Sequence, residues 1–410
     1  MIFCNAPTEI SYLCSRIVAQ MKVNNRIHLC LARMSDEGLE QKYIQEAFDT
    51  NWVAPLGPNV DGFEKDLEGF LNEIPAQGRN DAPLDKRVVA LSSCTAAIHL
   101  ALLLLGVGKD DEVLCQTFSF CASTNPVVYC GAQPVFIDSE PDTWNMDPVL
   151  LEQAIQDRIA KTGKKPKAII VVDLYGMPAK WHEIEEVAHR YEIPVIEDAA
   201  NALGSYYNGK PCSTFGAIRT LSFNGNKIIT TSGGGALICD DMEMKKKAIF
   251  LATQAKEPYL HYEHNTIGYN YRMSNICAGI GRGQMTVLDK HVKHHQHVHQ
   301  LYTTLFESVD GITVQGNPSK EFDSNFWLTT ITFSKELDVE ALCKKLDLAG
   351  IEARPLWKPM HLQPVYKDAP AYVNGVSEGL FKAGMCLPSG PYVSDEDVRY
   401  IVEKIKEALV

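Results

Sequence analysis

The chain has 410 residues, 45% hydrophobic and 22% charged, with a formal net charge of −12. That length outgrows a single small core and predicts a large domain with a smaller one beside it. The acidic balance argues against nucleic acid and anionic membranes as partners, since both reward Lys and Arg, and no apolar run reaches the ~18 residues of a membrane-spanning helix. A local basic pocket for a phosphate stays compatible with that charge.

The twelve cysteines are scattered through apolar contexts such as "GGGALIC" and "SNICAG", with no C-x-x-C pair. This usage predicts reduced thiols serving as small hydrophobes in a cytoplasmic protein. The opening "MIFCNAPTEISYLCSRIVAQMKVNN" lacks a basic start followed by an unbroken apolar block, so a secretory signal is not expected. Fold-like patterning begins near Arg26. Residues 1–25 therefore read as an N-terminal extension, with 1–20 an upstream start-site artefact and Met21 an alternative start.

From there the elements follow in order. Residues 36–50 carry Leu39, Tyr43, Ile44, Ala47 and Phe48 at helical spacing. A loop with Pro55, Gly57 and Pro58 leads to a second amphipathic helix, "VDGFEKDLEGFLNEI". The stretch 77–86 is a polar linker. "RVVALSS" then reads as a strand and "TAAIHLALLLLGV" as a helix closed by Gly106. Strands at "DEVLCQ", "QPVFIDSE", "PKAIIVVDLYG" and "IPVIEDAA" alternate with helices near Ser123–Asn125, at 147–161 and at 180–192. Nearly all-apolar strands alternating with helices predict an α/β fold whose mostly parallel sheet is covered on both faces. Residues 241–252 and 274–308 read as helices, the second a single long one. Domain boundaries are expected at 26–280 for the large domain and 281–410 for the long helix and a small C-terminal domain.

In such sheets, ligands lie at the carboxyl ends of the strands. Three features fall there. Ser93, Cys94 and Thr95 form a small-residue turn between strand and helix, where free amides bind anions, phosphate above all. The alternative is a capped helix with no ligand. Asp198 ends the apolar strand of "PVIEDAANALGS"; a carboxylate there can stabilise a protonated ring nitrogen, or simply cap a helix or join a salt bridge. Lys227 lies in "LSFNGNKIITTSGGG", after Ser222 and before a triple glycine. It is either a solvated surface charge or an amine held to bond an aldehyde cofactor. The combination matches what pyridoxal 5′-phosphate (PLP) needs.

The segments "SSCTAAIHLAL", "TFSFCASTNPV", "PVFID", "DLYGMPAKW", "IEDAANALGS", "TFGAIRTLSFNGNKIITTSGGGAL" and "GYNYRMSNICAGIG" resemble the DegT/DnrJ/EryC1/StrS sugar aminotransferases, PLP-dependent transferases of fold type I. The resemblance runs from about residue 26 to the C-terminus. "NGNKIITTSGGG", "LHYEHNTIGYNYRMSN" and "ARPLWKPMHLQPVY" look most like the 4-aminotransferases of UDP-linked 4-keto-6-deoxy-N-acetylhexosamine. The resemblance implies a seven-stranded-type central sheet with a smaller C-terminal α+β domain. It implies L-glutamate as amino donor and a homodimer with shared active sites.

Its residue roles fall on named positions. Lys227 would bond the cofactor and then move protons between Cα and C4′. Asp198 would pair with the pyridine nitrogen. Cys94, Thr95 and Ser222 would hold the phosphate, and Phe120 would stack on the ring. Asn270 and Arg272 would cross a dimer interface, Asn270 toward the cofactor phosphate and Arg272 toward anionic groups of the ligand. Two positions depart from the family pattern. Asn201 stands three residues after Asp198, where relatives more often carry His, Gln or Glu, and Cys94 replaces the more usual Gly or Ala.

Other candidates are weaker. His291, His295 and His299 recur at metal-ligand spacing, but the stretch reads as a solvated face of a polar helix, and no metal is expected. "MEMKKKAIF" reads as a structural charge run. Glu263 and His264 are candidates for touching substrate. Arg354 and Trp357 either line a sugar-nucleotide entrance or pack the small domain. A sugar dehydratase and a non-catalytic regulatory protein on the same fold are the rival readings. Dehydratases of the family carry His at the lysine position, so Lys227 argues against the first. The intact set Lys227, Asp198, Ser222 and Thr95 argues against the second.

Overall fold

The computed structural model describes residues 26–72 and 86–409. The expected N-terminal extension, 1–25, and most of the polar linker, 77–85, lie outside the described residues. Helices α1 (Leu39–Asp49) and α2 (Pro58–Asn72) come first. Then β1 (Arg87–Leu91), α3 (Cys94–Leu104), β2 (Glu112–Gln116), α4 (Asn125–Tyr129), β3 (Gln133–Ile137), α5 (Pro148–Thr162), β4 (Ala168–Val172), α6 (Trp181–Arg190) and β5 (Val195–Asp198) alternate. Short β6 (Tyr206–Tyr207) and β7 (Lys210–Pro211) precede β8 (Ile218–Ser222), β9 (Gly235–Cys239), α7 (Met242–Ala252), α8 (Asn275–Met285) and α9 (Leu288–Phe306). The remainder holds β10 (Ile312–Val314), β11 (Phe322–Asp323), β12 (Thr329–Phe333), α10 (Val339–Leu348), β13 (Arg354–Pro355), β14 (Ala371–Tyr372), α11 (Val376–Ala383), β15 (Gly384–Leu387) and α12 (Asp395–Leu409).

Local chemistry explains the boundaries. Asp147 caps α5 by accepting from the amides of Val149 and Leu150, Pro148 fits the first turn, and Gly163 ends the helix at φ 68°. β4 is "AIIVV" and buried throughout. Such a strand is stable only with both sheet faces covered.

The large sheet has eight strands in the order β1-β9-β8-β5-β4-β2-β3-β14. β9 is antiparallel to both neighbours, β1 and β8, while the pairs from β8 across to β14 are all parallel. The carboxyl ends of β1, β5 and β8 therefore share one edge. Short β14, from the C-terminal third, adds the eighth strand to the expected seven. β10, β12, β15 and β13 form a second, antiparallel sheet.

Two expectations need correction. The single helix read over 274–308 is two, because Val287 leaves helical geometry (φ −113°, ψ 3°) between α8 and α9. The histidine stripe is not a solvated face: His291, His295 and His299 are 3%, 0% and 7% exposed. α9 also buries Leu288, Val298, Tyr302 and Phe306, so the stripe at i and i+4 is its packed side. Burial pushes His295 down to about 3 and His299 down to about 4, and a neutral imidazole packs as an aromatic ring. His299 stacks on Phe326 with ring centroids 3.5 Å apart.

Candidate active site

The site is built at the carboxyl edge, starting from the β1–α3 turn. Ser93 is extended (φ −167°) and caps α3 by accepting from the Ala96 amide. Cys94 and Thr95 open the helix, so their amides have no intrahelical acceptor and face outward with the positive end of the helix dipole. β9 runs directly beside this turn. Its first residue, Gly235, lies opposite Leu91 on one side and Ser222 on the other. A Cβ on Gly235 would fall 2.3 Å from the Cys94 nitrogen and 2.4 Å from the Ser93 carbonyl carbon. One glycine of the triple run thus lets the strand pass the anion-binding turn.

Asp198 ends β5 with 3% exposure. Its carboxylate accepts from Ser123 Oγ at 2.6 Å, the Ala200 amide at 3.1 Å and Cys94 Sγ at 3.8 Å. Burial pushes it above the usual carboxylate range, against the lowering effect of Ser123, the Ala200 amide and Lys227. A buried carboxyl held by neutral donors gains from a cation, and a protonated ring nitrogen supplies one. Behind it, ligand atoms of Asp173, Glu197 and Cys212 all lie within 4.8 Å of one another. Burial lifts Asp173 to about 7 and lifts Glu197 well above its usual value, the charge of Asp173 adding to that second shift.

Lys227 sits on the turn between β8 and β9, its amide bonded to the Asn224 carbonyl at 3.1 Å. Its Nζ donates to Asn201 Oδ1 at 2.5 Å and lies 4.2 Å from the centroid of Trp327. Desolvation pushes the amine down to about 8, although Asp198 pulls the other way. A lysine near 8 keeps a usable fraction of neutral, nucleophilic amine at physiological pH. The side chain of Asn201 meets the lysine itself.

The remaining candidates divide. Trp357 joins an aromatic wall, its ring 4.7 Å from Tyr175, 5.7 Å from Phe120 and 6.2 Å from Trp327. Phe120 is 56% exposed, a free face for a planar ring. Asn270 is exposed and pairs through its backbone with Thr253. Arg272 was expected to reach across an interface, but its guanidinium is engaged within its own chain, with Glu64 at 2.7 Å and the Ala90 carbonyl at 3.0 Å. Its charge is already matched. His264 bonds the Gln254 carbonyl, Glu263 pairs with His261, and Arg354 pairs with Glu352, so these three are held locally on exposed segments. Ser123 and Trp327 were not read from the sequence. Ser123 sits in a short 3-10 turn, and Trp327 arrives from beyond β11. The one signal was the "NFW" pairing of amide and aromatics.

The residues present fit PLP: an anion-binding helix start, a buried carboxyl wanting a cation, and a partly neutral lysine share one edge. The chain is 46% identical over 385 residues to EpsN of Bacillus subtilis (strain 168), a proposed pyridoxal phosphate-dependent aminotransferase, covering 93% of this chain and 95% of that protein. It is 35% identical over 370 residues to the GDP-perosamine synthase of Escherichia coli O157:H7, covering 90% and 95%. The Spr1654 protein of Streptococcus pneumoniae in its PLP form superposes with a TM-score of 0.83 at 26% identity, covering 93% of this chain and 98% of that one. The model of the DegT/DnrJ/EryC1/StrS aminotransferase family matches residues 35–406, and the chain belongs to that family.

Proposed function

We propose that the protein is a PLP-dependent aminotransferase moving the amino group of L-glutamate to C4 of a nucleotide-linked 4-keto-6-deoxy sugar. The acceptor is of the UDP-N-acetylhexosamine type, and the amino sugar serves surface glycan synthesis. The carrying observation is the Lys227 amine, lowered to about 8 and held at the same sheet edge as Asp198 and the start of α3. When bound, PLP supplies an electron sink for the carbon that loses or gains a proton. The protein's residues do the rest. The amides of Cys94 and Thr95, with Ser222, would hold the phosphate; Asp198 would keep the ring nitrogen protonated; Phe120 would cover a ring face. The Lys227 amine, once free, would accept and return the proton in both half-reactions.

A nucleotide-linked acceptor is supported by the GDP-perosamine synthase relative. The UDP-acetamido preference rests on the motif resemblance in "NGNKIITTSGGG" and "ARPLWKPMHLQPVY". A cytoplasmic homodimer completes the site. The loop carrying Tyr259, Leu260, Tyr262 and Ile267 exposes four large apolar side chains, 52% to 110% accessible, a surface suited to burial against a second copy. Light scattering of the purified protein tests the dimer. The reaction is tested by incubating it with PLP, L-glutamate and UDP- or GDP-linked 4-keto-6-deoxy sugars. Formation of 2-oxoglutarate and an amino sugar supports the reading. Glutamate conversion with no amino sugar from either acceptor contradicts the substrate assignment.

A further inference from the structure

The amine of Lys227 has two close partners that no phosphate or ring contact requires. Asn201 Oδ1 accepts from it at 2.5 Å, and the Trp327 ring faces it at 4.2 Å. These partners are tied to each other. Asn325 is fully buried; its Nδ2 donates to the Asn201 carbonyl at 2.9 Å and the Leu203 carbonyl at 3.0 Å, while its Oδ1 accepts from the Trp327 amide at 2.8 Å. The Trp327 indole N–H donates to the Asn226 carbonyl at 2.6 Å, pinning the ring to the residue before Lys227. Distance, burial and mutual bonding make this a rigid cradle.

We infer that Asn201 and Trp327, locked together by Asn325, form a holding site for the Lys227 amine when it is free of the cofactor and has taken up a proton. The inference rests on Lys227 being the cofactor lysine. An amide oxygen and an aromatic face both favour an ammonium over a neutral amine. The titratable groups facing Lys227 are Asp198, Cys94 and Cys30. Burial pushes the Cys30 thiol up to about 12 and the Cys94 thiol well above its usual value, so neither supplies charge. Among the described residues, Asp198 is the one anion facing it, and bound cofactor would engage it. Asn201 and Trp327 are then positioning residues: they keep the released lysine beside the reacting carbon and keep its proton available. This gives Asn201 a role on the lysine.

The test uses full-length protein freed of cofactor. Lys227 is acylated with an amine-selective reagent between pH 6 and pH 10, and its modification rate is read by peptide mass spectrometry. Wild type should titrate near 8. Trp327→Leu and Asn201→Ala should each lower the midpoint by about one pH unit, with other lysines unmoved. Trp327→Phe keeps a ring and should recover part of the shift, and it serves as the variant if Trp327→Leu does not fold. Unchanged midpoints in folded Asn201→Ala and in the folded Trp327 variants overturn the holding site. A separate absorbance check for cofactor on wild-type Lys227 isolates failure of the underlying reading, because the labelling needs no cofactor.

Discussion

Ser123 Oγ donates to Asp198 Oδ2 at 2.6 Å, joining a short 3-10 turn to the end of β5 across 75 residues of chain. The bond lowers Asp198 against the push of burial. Ser123→Ala should therefore leave Asp198 more readily protonated and a weaker partner for a ring nitrogen. A lost hydrogen bond to a charged group is worth ~1.5–3 kcal/mol, about tenfold or more in affinity. Titration of PLP into the cofactor-free variant, followed by fluorescence quenching, checks this. Wild-type affinity would show that Ser123 does not tune Asp198.

Gly235 faces the turn that opens α3. Gly235→Ala places a Cβ 2.3 Å from a backbone nitrogen that cannot move aside without displacing Cys94. Overpacking of this kind costs ~1–3 kcal/mol. Gly233→Ala is the control, since a Cβ there meets nothing within 4 Å. Urea unfolding should show Gly235→Ala destabilised and Gly233→Ala within about 0.5 kcal/mol of wild type.

Asp173 sets a pH dependence whose sign follows from linkage. Its folded pKa, lifted to about 7, lies above its usual 3.8. The folded state therefore holds a proton that the unfolded state releases above about pH 4. The stabilisation is full below that point and is lost as pH rises through about 7. Glu197 and Cys212, which face it, are also pushed upward by burial. Asp173→Asn stays neutral at every pH and keeps an oxygen for the Ala179 amide and the Trp181 indole. Melting temperatures from pH 5 to pH 8 should show the variant gaining on wild type as pH rises. A constant gap would contradict a proton held on Asp173 in the folded state.

The histidine stripe acts with the opposite sign. His295 falls from 6.5 to about 3 on burial, so the unfolded state takes up a proton first as pH drops. Its stabilising share is full above about 6.5 and is lost toward about 3. His295→Leu should make melting temperature less sensitive to pH between 6.5 and 4.5. An unchanged slope would mean other groups govern the acid limb.

Much of the site lay open in the sequence because its parts are local. A strand, a small turn and a helix place Cys94 and Thr95; an apolar run places Asp198 at its end; Asn and Gly flank Lys227. Ser123, Asn325 and Trp327 were hidden because tertiary packing carries them in from distant segments, and no spacing announces that. The stripe of His291, His295 and His299 misled because histidine reads as polar in a pattern, whereas its neutral ring packs in the interior, His291 on the Ile228 carbonyl and His299 on Phe326. The break at Val287 carries neither Pro nor Gly, so periodicity ran through it. Arg272 fits a ligand-facing motif, yet its partner Glu64 lies 208 residues away.

The proposed reaction turns on Lys227 bonding the cofactor and carrying the proton. The most direct measurement is the near-ultraviolet and visible absorbance of wild type and Lys227→Ala with PLP, before and after L-glutamate. Wild type should show the band of lysine-bound cofactor, which glutamate converts to the pyridoxamine form; the variant should fold, lack that band and fail to turn over. Wild type without the band, or a variant that still turns over, would contradict it.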